Sequence, residues 1–365
     1  MRILFVTPRP PWPGRRGDQV RVAGWVRGLA TAHDVHLLSQ RWPGQDAAPA
    51  PFAVGGAEVV DIGRPQLALA GARAAWSGVS GRGRSPLQSL LYAHRSFRRA
   101  ALRSVRRLAP DVVVVVLSRL GDLAEGLGDA GVPVVVDLVD ALGANMERRA
   151  ERERWLSPLW RREARRLFDW DRRLVGRVAA ATVVAERDRR AILAPGPGAP
   201  GPPRTPDGAE EARDLAATLR VMPFGLDVPP PAPRSAVDET VVLTGNLGYF
   251  PTVEGARWFA AAVWPRIRRR RPRARWVLAG SRPAPAIRAA ASSEGVELVE
   301  HPPDLGVYLA AARVAIAPLR AGSGTPIKIL EAMSRDVPVV STSAGRDGLD
   351  GLPKGALAVA DAAAD

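Results

Sequence analysis

The stretch Arg313–Ser334, RVAIAPLRAGSGTPIKILEAMS, joins an apolar run, a loop with two glycines and a run of helical periodicity. The pattern predicts a buried strand over Arg313–Leu319 and a helix over Pro326–Ser334, with Thr325 as its N-cap. The loop glycines allow the backbone to approach a ligand closely. Backbone N–H groups and the positive end of the helix would favour an anion at this loop.

Charged side chains flank the same loop. Arg320 precedes the glycines and Lys328 lies in the first turn of the predicted helix, so both can reach one anion. Glu331 lies three residues beyond Lys328 on the same helix face, where a carboxylate can accept hydrogen bonds from ribose hydroxyls. The alternative is an ordinary surface pair between Lys328 and Glu331. The combination of cations, glycines and carboxylate favours an anion-binding site.

Strand and helix patterns alternate along the whole chain. Continuous apolar runs such as DVVVVVL, residues 111–117, are typical of parallel strands covered on both faces. Such alternation predicts α/β domains with doubly wound sheets, which bind ligands at the carboxyl ends of their strands. The predicted strands are Arg2–Thr7, His33–Ser39, Ala57–Gly63, Asp111–Leu117, Val132–Asp140, Ala179–Ala185 and Leu219–Met222, followed by 240–245, Ala274–Gly280, 296–300, Arg313–Leu319 and Val337–Thr342.

Helical spacing fills the intervals between these strands. Asp18 is the predicted N-cap of a first helix over Asp18–Thr31, whose buried face would carry Val22, Trp25, Val26 and Leu29. The other predicted helices cover residues 87–108, 144–176, 252–270, 283–292 and 305–312, and a Pro- and Gly-rich surface loop is predicted over 195–207.

A Pro-rich passage, GLDVPPPAPRSAVD at residues 225–238, has the composition of a linker. The chain has 365 residues, which suits two domains. We therefore expect two Rossmann-like doubly wound α/β domains facing a cleft, the first over residues 1–224 and the second over 239–365.

The net charge is +15 and arginine dominates it. The arginines either reflect the compositional drift of a GC-rich genome or attract anions such as nucleotide diphosphates, anionic lipid or nucleic acid. The absence of cysteine excludes disulfides and cysteine-bound metal centres. The start lacks a signal-peptide pattern, and no apolar run reaches the roughly 18 residues of a membrane span. These features are compatible with a cytoplasmic protein.

One basic segment suggests a peripheral membrane contact. HRSFRRAALRSVRRL, residues 94–108, combines arginines with apolar side chains and could lie on the anionic inner face of the plasma membrane. Its apolar members, with one from the preceding turn, are Leu91, Phe97, Leu102 and Val105. The alternative is a solvated helix face.

Five segments together carry a family resemblance. The pattern R-x-G-x-G-x-x-x-K-x-L-E-A-M over residues 320–333 is followed by PVVST. The other segments are TGNLGYFPTVEGARWF at 244–259, PFGLD at 223–227, the Pro-rich start at 8–21 and DLVDALGANM at 137–146. They resemble the GT-B-fold glycosyltransferases of family 4, above all the sugar transferases of bacterial exopolysaccharide clusters. The resemblance covers nearly the whole chain and is strongest over residues 240–350.

This resemblance implies a hexosyltransferase that moves a sugar, with retention, from a nucleoside-diphosphate sugar to a glycan or lipid-linked acceptor. The product would enter cell-surface polysaccharide or glycolipid synthesis, and no metal or other cofactor is implied. Arg320 and Lys328 would hold the donor diphosphate as the catalytic groups, and Glu331 would bind the ribose. The other implied donor contacts are Gly17, Asn246, Gly322, Ser323, Gly324 and Thr325, with backbone near His301 meeting the base.

Three departures from the family pattern stand out. Many relatives carry a glutamate where this chain has Ser323, so a carboxylate contact to the donor sugar is not expected. The chain ends at Asp365, where relatives usually continue into further helices, so we expect a C-terminal domain that is either truncated or naturally short. A histidine found after the fourth N-domain strand in some relatives is replaced by LSRLGD, residues 117–122.

Other function classes fit the sequence less well. A GT-B-fold nucleotide-sugar epimerase or a non-catalytic nucleotide-sugar-binding protein is the main alternative, but no convincing extra acid–base set is present. A nucleic-acid binder is disfavoured because the arginines are scattered and no recognition motif occurs. The four histidines lack metal-ligand spacing, and Asp137 with Asp140 would form only an incomplete metal site. We expect acceptor-binding or structural roles for these two aspartates.

Overall fold

The computed structural model describes the chain except for residues 15, 81–84, 195–212, 227, 230–238, 321–323, 350, 354 and 365. The chain forms two compact units, Met1–Gly225 and Leu226–Asp365. Most of the predicted linker, residues 225–238, and all of the predicted loop, residues 195–207, lie outside the described residues. The proposed domain limits remain predictions.

The first unit is built on a seven-stranded sheet with the order β3-β2-β1-β4-β5-β6-β7, in which every pair is parallel. Its strands are β1 Arg2–Thr7, β2 Asp34–Arg41, β3 Gly56–Asp61, β4 Val112–Val116, β5 Val134–Val139, β6 Ala180–Val183 and β7 Leu219–Val221. Its helices are α1 Gly17–Ala30, α2 Arg64–Ser80, α3 Leu87–Tyr92, α4 Arg95–Leu108, α5 Gly121–Gly128, α6 Leu142–Arg152, α7 Ser157–Val175 and α8 Glu186–Leu193. Residues 213–218 are also helical.

Side chains alternate across this sheet and build a core on each face. Leu4 and Val6 of β1 pack on one side with Phe97 of α4, whereas Ile3 and Phe5 pack on the other side with Val22 and Val26 of α1. Burial on both faces is what continuous apolar strands require. The strand order reverses at β1 and β4, so the fold places a crevice at their carboxyl ends.

The second unit contains a six-stranded parallel sheet with the order β10-β9-β8-β11-β12-β13. Its strands are β8 Thr240–Asn246, β9 Arg275–Ser281, β10 Val296–Glu300, β11 Val314–Ala317, β12 Val339–Ser341 and β13 Ala358–Val359. Its helices are α9 Phe250–Trp258, α10 Trp264–Arg270, α11 Pro285–Ala291, α12 Gly306–Ala310, α13 Ile327–Met333 and α14 Ser343–Arg346. The predicted doubly wound α/β pattern is therefore confirmed in both units.

Three predicted helices are wrong in their continuity. The predicted helix over 87–108 is two helices, because Ala93 and His94 leave the helical conformation. The predicted helix over 144–176 ends at Arg152 and resumes at Ser157, after a 3-10 turn, with Pro158 in its first turn. Pro fits a helix start because it lacks the N–H that an interior position needs.

The predicted helix over 252–270 contains a π-helical turn at Phe259–Val263, between α9 and α10. Pro265 follows this turn and cannot donate a backbone hydrogen bond back along the helix. A π turn is one way in which a helix absorbs such a disruption.

Asp18 does not cap α1, contrary to the prediction. The N-cap is Arg16, whose side chain makes no capping hydrogen bond, and the Asp18 carboxylate lies 3.1 Å from the buried Arg9 guanidinium. The ion pair with Arg9 therefore replaces the expected cap.

Asp137 forms a buried ion pair within the first unit. Its two carboxylate oxygens accept from Nε and Nη2 of Arg21 at 2.7 and 3.1 Å, and Oδ1 also accepts from Thr182 at 2.8 Å. Arg21 lies on α1, so this bidentate pair fixes α1 against β5. Of the two roles expected for Asp137, the structural one accounts for these contacts.

Candidate functional site

The predicted strand–loop–helix lies where the second sheet reverses its strand order. β8 continues on one side to β9 and β10, whereas β11 lies on its other side. The carboxyl ends of β8 and β11 are therefore neighbours at a topological switch point, the usual ligand site of such sheets. α13 follows β11 and packs Ile329 into the core on one face, while α9 follows β8 and packs Ala256 into the core on the other.

The side chain of Lys328 extends across the carboxyl edge of the second sheet to the helix that follows β8. Its Nζ donates a hydrogen bond to Oγ1 of Thr252 in the first turn of α9, at 3.0 Å. A Cβ placed on Gly245 at the end of β8 would lie 3.8 Å from both Nζ and Cε of Lys328. Gly245 has a φ of +115°, a region that favours glycine, and the absence of a side chain at this position leaves room for the lysine.

The environment of Lys328 lowers the pKa of its ammonium group. Burial of the ammonium lowers its pKa to about 8, although the nearby Glu331 carboxylate acts in the opposite direction. Burial also raises the pKa of Glu331, while Arg335 and Lys328 counteract the rise. Both groups are thus held in surroundings that disfavour an isolated charge, a condition common at binding and catalytic sites.

Glu331 lies partly buried one turn beyond Lys328. The hydrogen bond of the Lys328 ammonium goes to Thr252 rather than to this carboxylate, so the alternative of an ordinary surface pair is not what the helix shows. Arg335 donates to the main-chain carbonyl of Glu331 at 3.3 Å.

Arg320 is exposed at the end of the β11 segment, and its guanidinium carbon lies 5.4 Å from the ring centroid of Trp258 on α9. This separation is within the range of a cation–π contact. The two predicted cations, Arg320 and Lys328, therefore both contact α9. Gly255 brings this helix close, because a Cβ there would lie 2.1 Å from the Pro318 carbonyl oxygen.

The loop before α13 is described only in part. Gly322 and Ser323 lie outside the described residues, whereas Gly324 is buried with a φ of +66°, as expected where the chain needs a glycine. Thr325 is not the N-cap, contrary to the prediction. Pro326 occupies that position and its carbonyl accepts from the Ile329 N–H at 2.9 Å, so a backbone turn replaces the expected side-chain cap.

The remaining predicted donor residues are spread over both units. Asn246 ends β8, and its Oδ1 accepts from the Gly248 N–H at 3.0 Å, which shapes the turn into α9. His301 follows β10 with a φ of +51°, and Arg282 follows β9 with a φ of +54°. Left-handed backbone at non-glycine residues is strained and clusters at functional edges. Gly17 begins α1 in the first unit.

Sequence patterns missed two residues of this site. Thr252 and Trp258 both lie on α9, far along the chain from the Lys328 loop. Their positions in the family-like segment 244–259 were the available signal, but their contacts with Lys328 and Arg320 arise only from the fold.

The described residues contain neither a cluster of metal-ligating side chains nor a membrane-spanning helix. Across those ranges, no three His, Asp or Glu side chains gather in a way that could hold a metal ion. Within the same ranges, no helix combines the length and apolar character needed to cross a bilayer.

Residues 238–365 match the family model described as Glycosyl transferases group 1. No curated protein matches the chain. Among solved structures, sucrose-phosphate synthase from Thermosynechococcus elongatus is 14% identical with a TM-score of 0.67, covering 98% of this chain and 85% of that one. The UDP-forming α,α-trehalose-phosphate synthase from Burkholderia vietnamiensis is 14% identical with a TM-score of 0.59, covering 100% and 89%.

A third similar structure is Anabaena HepE in complex with UDP and glucose, 14% identical with a TM-score of 0.59, covering 97% of this chain and 84% of that chain. At such identities the likeness establishes the fold and nothing finer. The two parallel sheets with alternating helices are thus the two Rossmann-like domains of the GT-B fold, and the second of them carries the match to Glycosyl transferases group 1.

Proposed function

We propose that the protein is a hexosyltransferase that moves a sugar, with retention, from a nucleoside-diphosphate sugar to a glycan or lipid-linked acceptor. Cell-surface polysaccharide or glycolipid synthesis is the pathway class that such an acceptor suggests. The observation that carries the proposal is the position of Lys328 and Glu331 one turn apart on α13, at the switch point of a unit that matches Glycosyl transferases group 1.

The chemistry follows from charge. When the bond between the anomeric carbon and the donor diphosphate breaks, the electron pair leaves with the diphosphate. The acceptor hydroxyl oxygen forms the new bond to the anomeric carbon, and its proton passes to the departing diphosphate. Lys328 and Arg320 would stabilise the negative charge that develops on the leaving group. An ammonium has three N–H donors, and one of those of Lys328 is directed at Thr252. The other two remain for phosphate oxygens.

We propose that these protein cations neutralise the diphosphate without a metal ion or another cofactor. Transfer would then be unaffected by EDTA, and added Mg²⁺ would not restore a Lys328→Met variant. Loss of transfer in EDTA with recovery on adding a divalent cation would contradict this part of the proposal.

A donor screen tests the main proposal. UDP-, GDP- and ADP-sugars are titrated calorimetrically into the full chain, beginning with the UDP series because Anabaena HepE was solved with UDP. Lys328→Ala and Glu331→Ala should each weaken the binding that the screen finds. If no nucleoside diphosphate or its sugar binds, the glycosyltransferase proposal fails.

We also propose peripheral contact with an anionic membrane, supported by α4. Its exposed face is wholly basic, with Arg95, Arg98, Arg99, Arg103, Arg106 and Arg107. The apolar side chains expected to enter lipid instead pack in the protein: Phe97 is buried in the core and Leu91, Leu102 and Val105 pack against it. The contact would therefore be electrostatic rather than insertion of α4.

Helix α2 is joined to α4 by a hydrogen bond of 3.1 Å between Gln66 and Ser96, and it exposes 74% of Trp76 further along its length. Trp is well suited to the lipid headgroup region. Co-sedimentation with vesicles tests the contact. Binding should rise with anionic lipid and fall in an Arg99→Glu/Arg103→Glu variant, and binding that ignores lipid charge would contradict it.

A further inference from the structure

A second group of polar side chains lies at the switch point of the first sheet, within the first unit. Arg9 follows β1, Trp42 follows β2 and Arg119 follows β4. Tyr92 and His94 reach them from the break between α3 and α4. The carboxyl ends of adjacent parallel strands meet at one edge of a sheet, which explains why residues so distant in the chain come together.

Tyr92 is the centre of this group. Its hydroxyl accepts from Nη2 of Arg9 at 3.2 Å, and the guanidinium of Arg119 lies 5.6 Å from the centre of its ring. The Trp42 ring lies 4.6 Å from that of Tyr92 and 6.4 Å from that of His94. Two cations and the large ring of Trp42 thus converge on Tyr92.

The group contains polar atoms that the protein does not satisfy. In the part of the chain that the structure describes, no hydrogen-bond partner exists for Nε of Arg9, Nε1 of Trp42, Nε2 of His94 or Nε of Arg119. Gln40, which is fully buried on β2, has no partner for either amide atom. Buried polar atoms are normally paired, so a concentration of exceptions at one sheet edge indicates a ligand-binding role.

The hydrogen-bonding capacity of these side chains indicates which groups the ligand carries. Burial and the nearby Arg73 lower the pKa of His94, whereas its hydrogen bond with the Leu91 backbone raises it, and the net effect is a lowered pKa. A neutral His94 can offer Nε2 as an acceptor for a hydroxyl group. The Gln40 amide can both donate and accept, and aromatic rings suit the apolar face of a sugar.

The charges point to an anionic group on that sugar. Arg9 is paired with Asp18 at 3.1 Å, whereas no carboxylate among the described residues pairs with Arg119. Arg119 is also partly exposed, so a ligand can reach it from solvent. Leu117, which positions the turn carrying Arg119, has a φ of +69°, a strained conformation for a bulky residue.

We infer that the first unit binds a sugar carrying a phosphate or carboxylate group at this edge, with Arg119 on the anion and Tyr92 and Trp42 beside the ring. His94 and Gln40 bond the hydroxyls, and Arg9 holds the Tyr92 hydroxyl in place. Under the proposed function this ligand is the acceptor, so the inference rests on that function for its role but not for the binding itself.

Calorimetry on the full chain tests the inference with four probes: glucose, glucose 6-phosphate, glucuronate and a hexose linked through diphosphate to a short prenyl chain. We expect at least one anionic probe to bind roughly tenfold or more tightly than glucose. Binding of the small anionic sugars would identify a free sugar acid or phosphate as the source, whereas binding of the prenyl conjugate alone would identify a lipid-linked acceptor.

Arg119→Gln should weaken that binding by roughly tenfold or more, and Tyr92→Phe should weaken it while keeping the ring. Arg103→Gln on the exposed face of α4 is the matched control and should change nothing. If glucose binds as well as the anionic probes, if none of the probes binds, or if Arg119→Gln binds normally with an unchanged circular dichroism spectrum, the inference is wrong.

Failure here is distinguishable from failure of the proposed function. Lys328→Met should weaken nucleoside-diphosphate binding and leave binding of the anionic sugar unchanged. Nucleotide binding without any sugar binding would overturn this inference alone, and sugar binding without nucleotide binding would overturn the proposed function alone.

Discussion

The Nζ of Lys328 lies 3.0 Å from Oγ1 of Thr252, and this hydrogen bond joins two helices that pack on opposite faces of the second sheet. It therefore passes over the carboxyl edge of the sheet at the point where β8 and β11 diverge. A lysine in this position is held in place before any ligand arrives. The cost of ordering its long side chain has then already been met by folding, which favours tight binding of an anion.

Lys328→Met should weaken binding of the nucleoside diphosphate by roughly 10- to 150-fold, because a charged hydrogen bond contributes about 1.5–3 kcal/mol. Titration calorimetry measures the change. Arg313→Met, which removes an exposed cation at the opposite end of β11, is the matched control and should bind normally. An equal loss in both variants would mean that general charge, rather than Lys328, holds the diphosphate.

Affinity for the diphosphate should fall as the pH rises through about 8, the pKa to which burial lowers Lys328. The free protein loses the ammonium charge in this range, whereas a bound anion raises the pKa and delays the loss, so binding must take up protons. Calorimetry in buffers of different ionisation enthalpy detects that uptake. Proton uptake that persists undiminished in Lys328→Met would assign it to another group, of which Glu331 is the nearest candidate.

The same pKa can be observed directly. The chain has only two lysines, Lys328 and Lys354, so reductive methylation with ¹³C gives few signals in an NMR titration. The signal that disappears in Lys328→Met should titrate near pH 8. A midpoint near the ordinary lysine value of about 10.4 would contradict the burial of this ammonium.

Glu331→Gln should weaken binding of UDP, or whichever ribonucleotide the screen selects, by roughly tenfold, since an amide is a poorer partner for two hydroxyls than a carboxylate. Analogues lacking the ribose 2′- or 3′-hydroxyl should bind the variant and the native protein more nearly equally. If the variant loses the same factor with the deoxy analogues, Glu331 acts through Lys328 and not on the ribose.

Gly255→Ala should destabilise the second unit by about 1–3 kcal/mol, because the new Cβ would meet the Pro318 carbonyl oxygen at 2.1 Å. Gly71→Ala is a matched control on α2, where a Cβ meets nothing within 4 Å, and it should stabilise the protein by about 0.5–1 kcal/mol. Denaturant unfolding followed by tryptophan fluorescence compares them. Equal effects of the two substitutions would argue against the close contact of α9 with the end of β11.

Asp171→Asn should flatten the dependence of stability on pH. Burial raises the pKa of Asp171 from 3.8 to about 8, so the folded chain keeps a proton that the unfolded chain releases. The resulting stabilisation is complete below the unfolded value and is lost as the pH rises through about 8. Thermal unfolding at several pH values should show a smaller decline in the variant. The exposed Asp169→Asn on the same helix should retain the native profile.

Much of the fold could be read from the chain because its strands are short apolar runs with both faces buried. β1 has the predicted limits, and β4, β9 and β11 differ from theirs by one or two residues at each end. Helix continuity could not be read in the same way. Tyr92 and His94 both contact Trp42, yet residues two apart on one helix point in different directions. The break between α3 and α4 therefore depends on a contact that local periodicity does not contain.

In the candidate site, too, residues placed by local spacing could be predicted, whereas residues placed by contacts between distant segments could not. Lys328 and Glu331 could be predicted because both lie on α13, where spacing alone places them on one face. Thr252 and Trp258 could not, because their role depends on how closely α9 approaches the end of β11. Neither Asp18 nor Thr325 is the N-cap that its sequence position suggests. The Asp18 carboxylate forms an ion pair with Arg9, and the backbone carbonyl of Pro326 accepts the hydrogen bond at the start of α13.

The narrow space around Lys328 limits which basic residue can occupy position 328. Fifty of the 52 residues counted as lysine or arginine are arginine, so lysine is rare in this chain. A guanidinium is longer, planar and unable to lose its proton, so it cannot take the place of an ammonium held between Gly245 and Thr252. Arginine should therefore not replace lysine at position 328, and a Lys328→Arg variant should bind the nucleotide more weakly than the native protein.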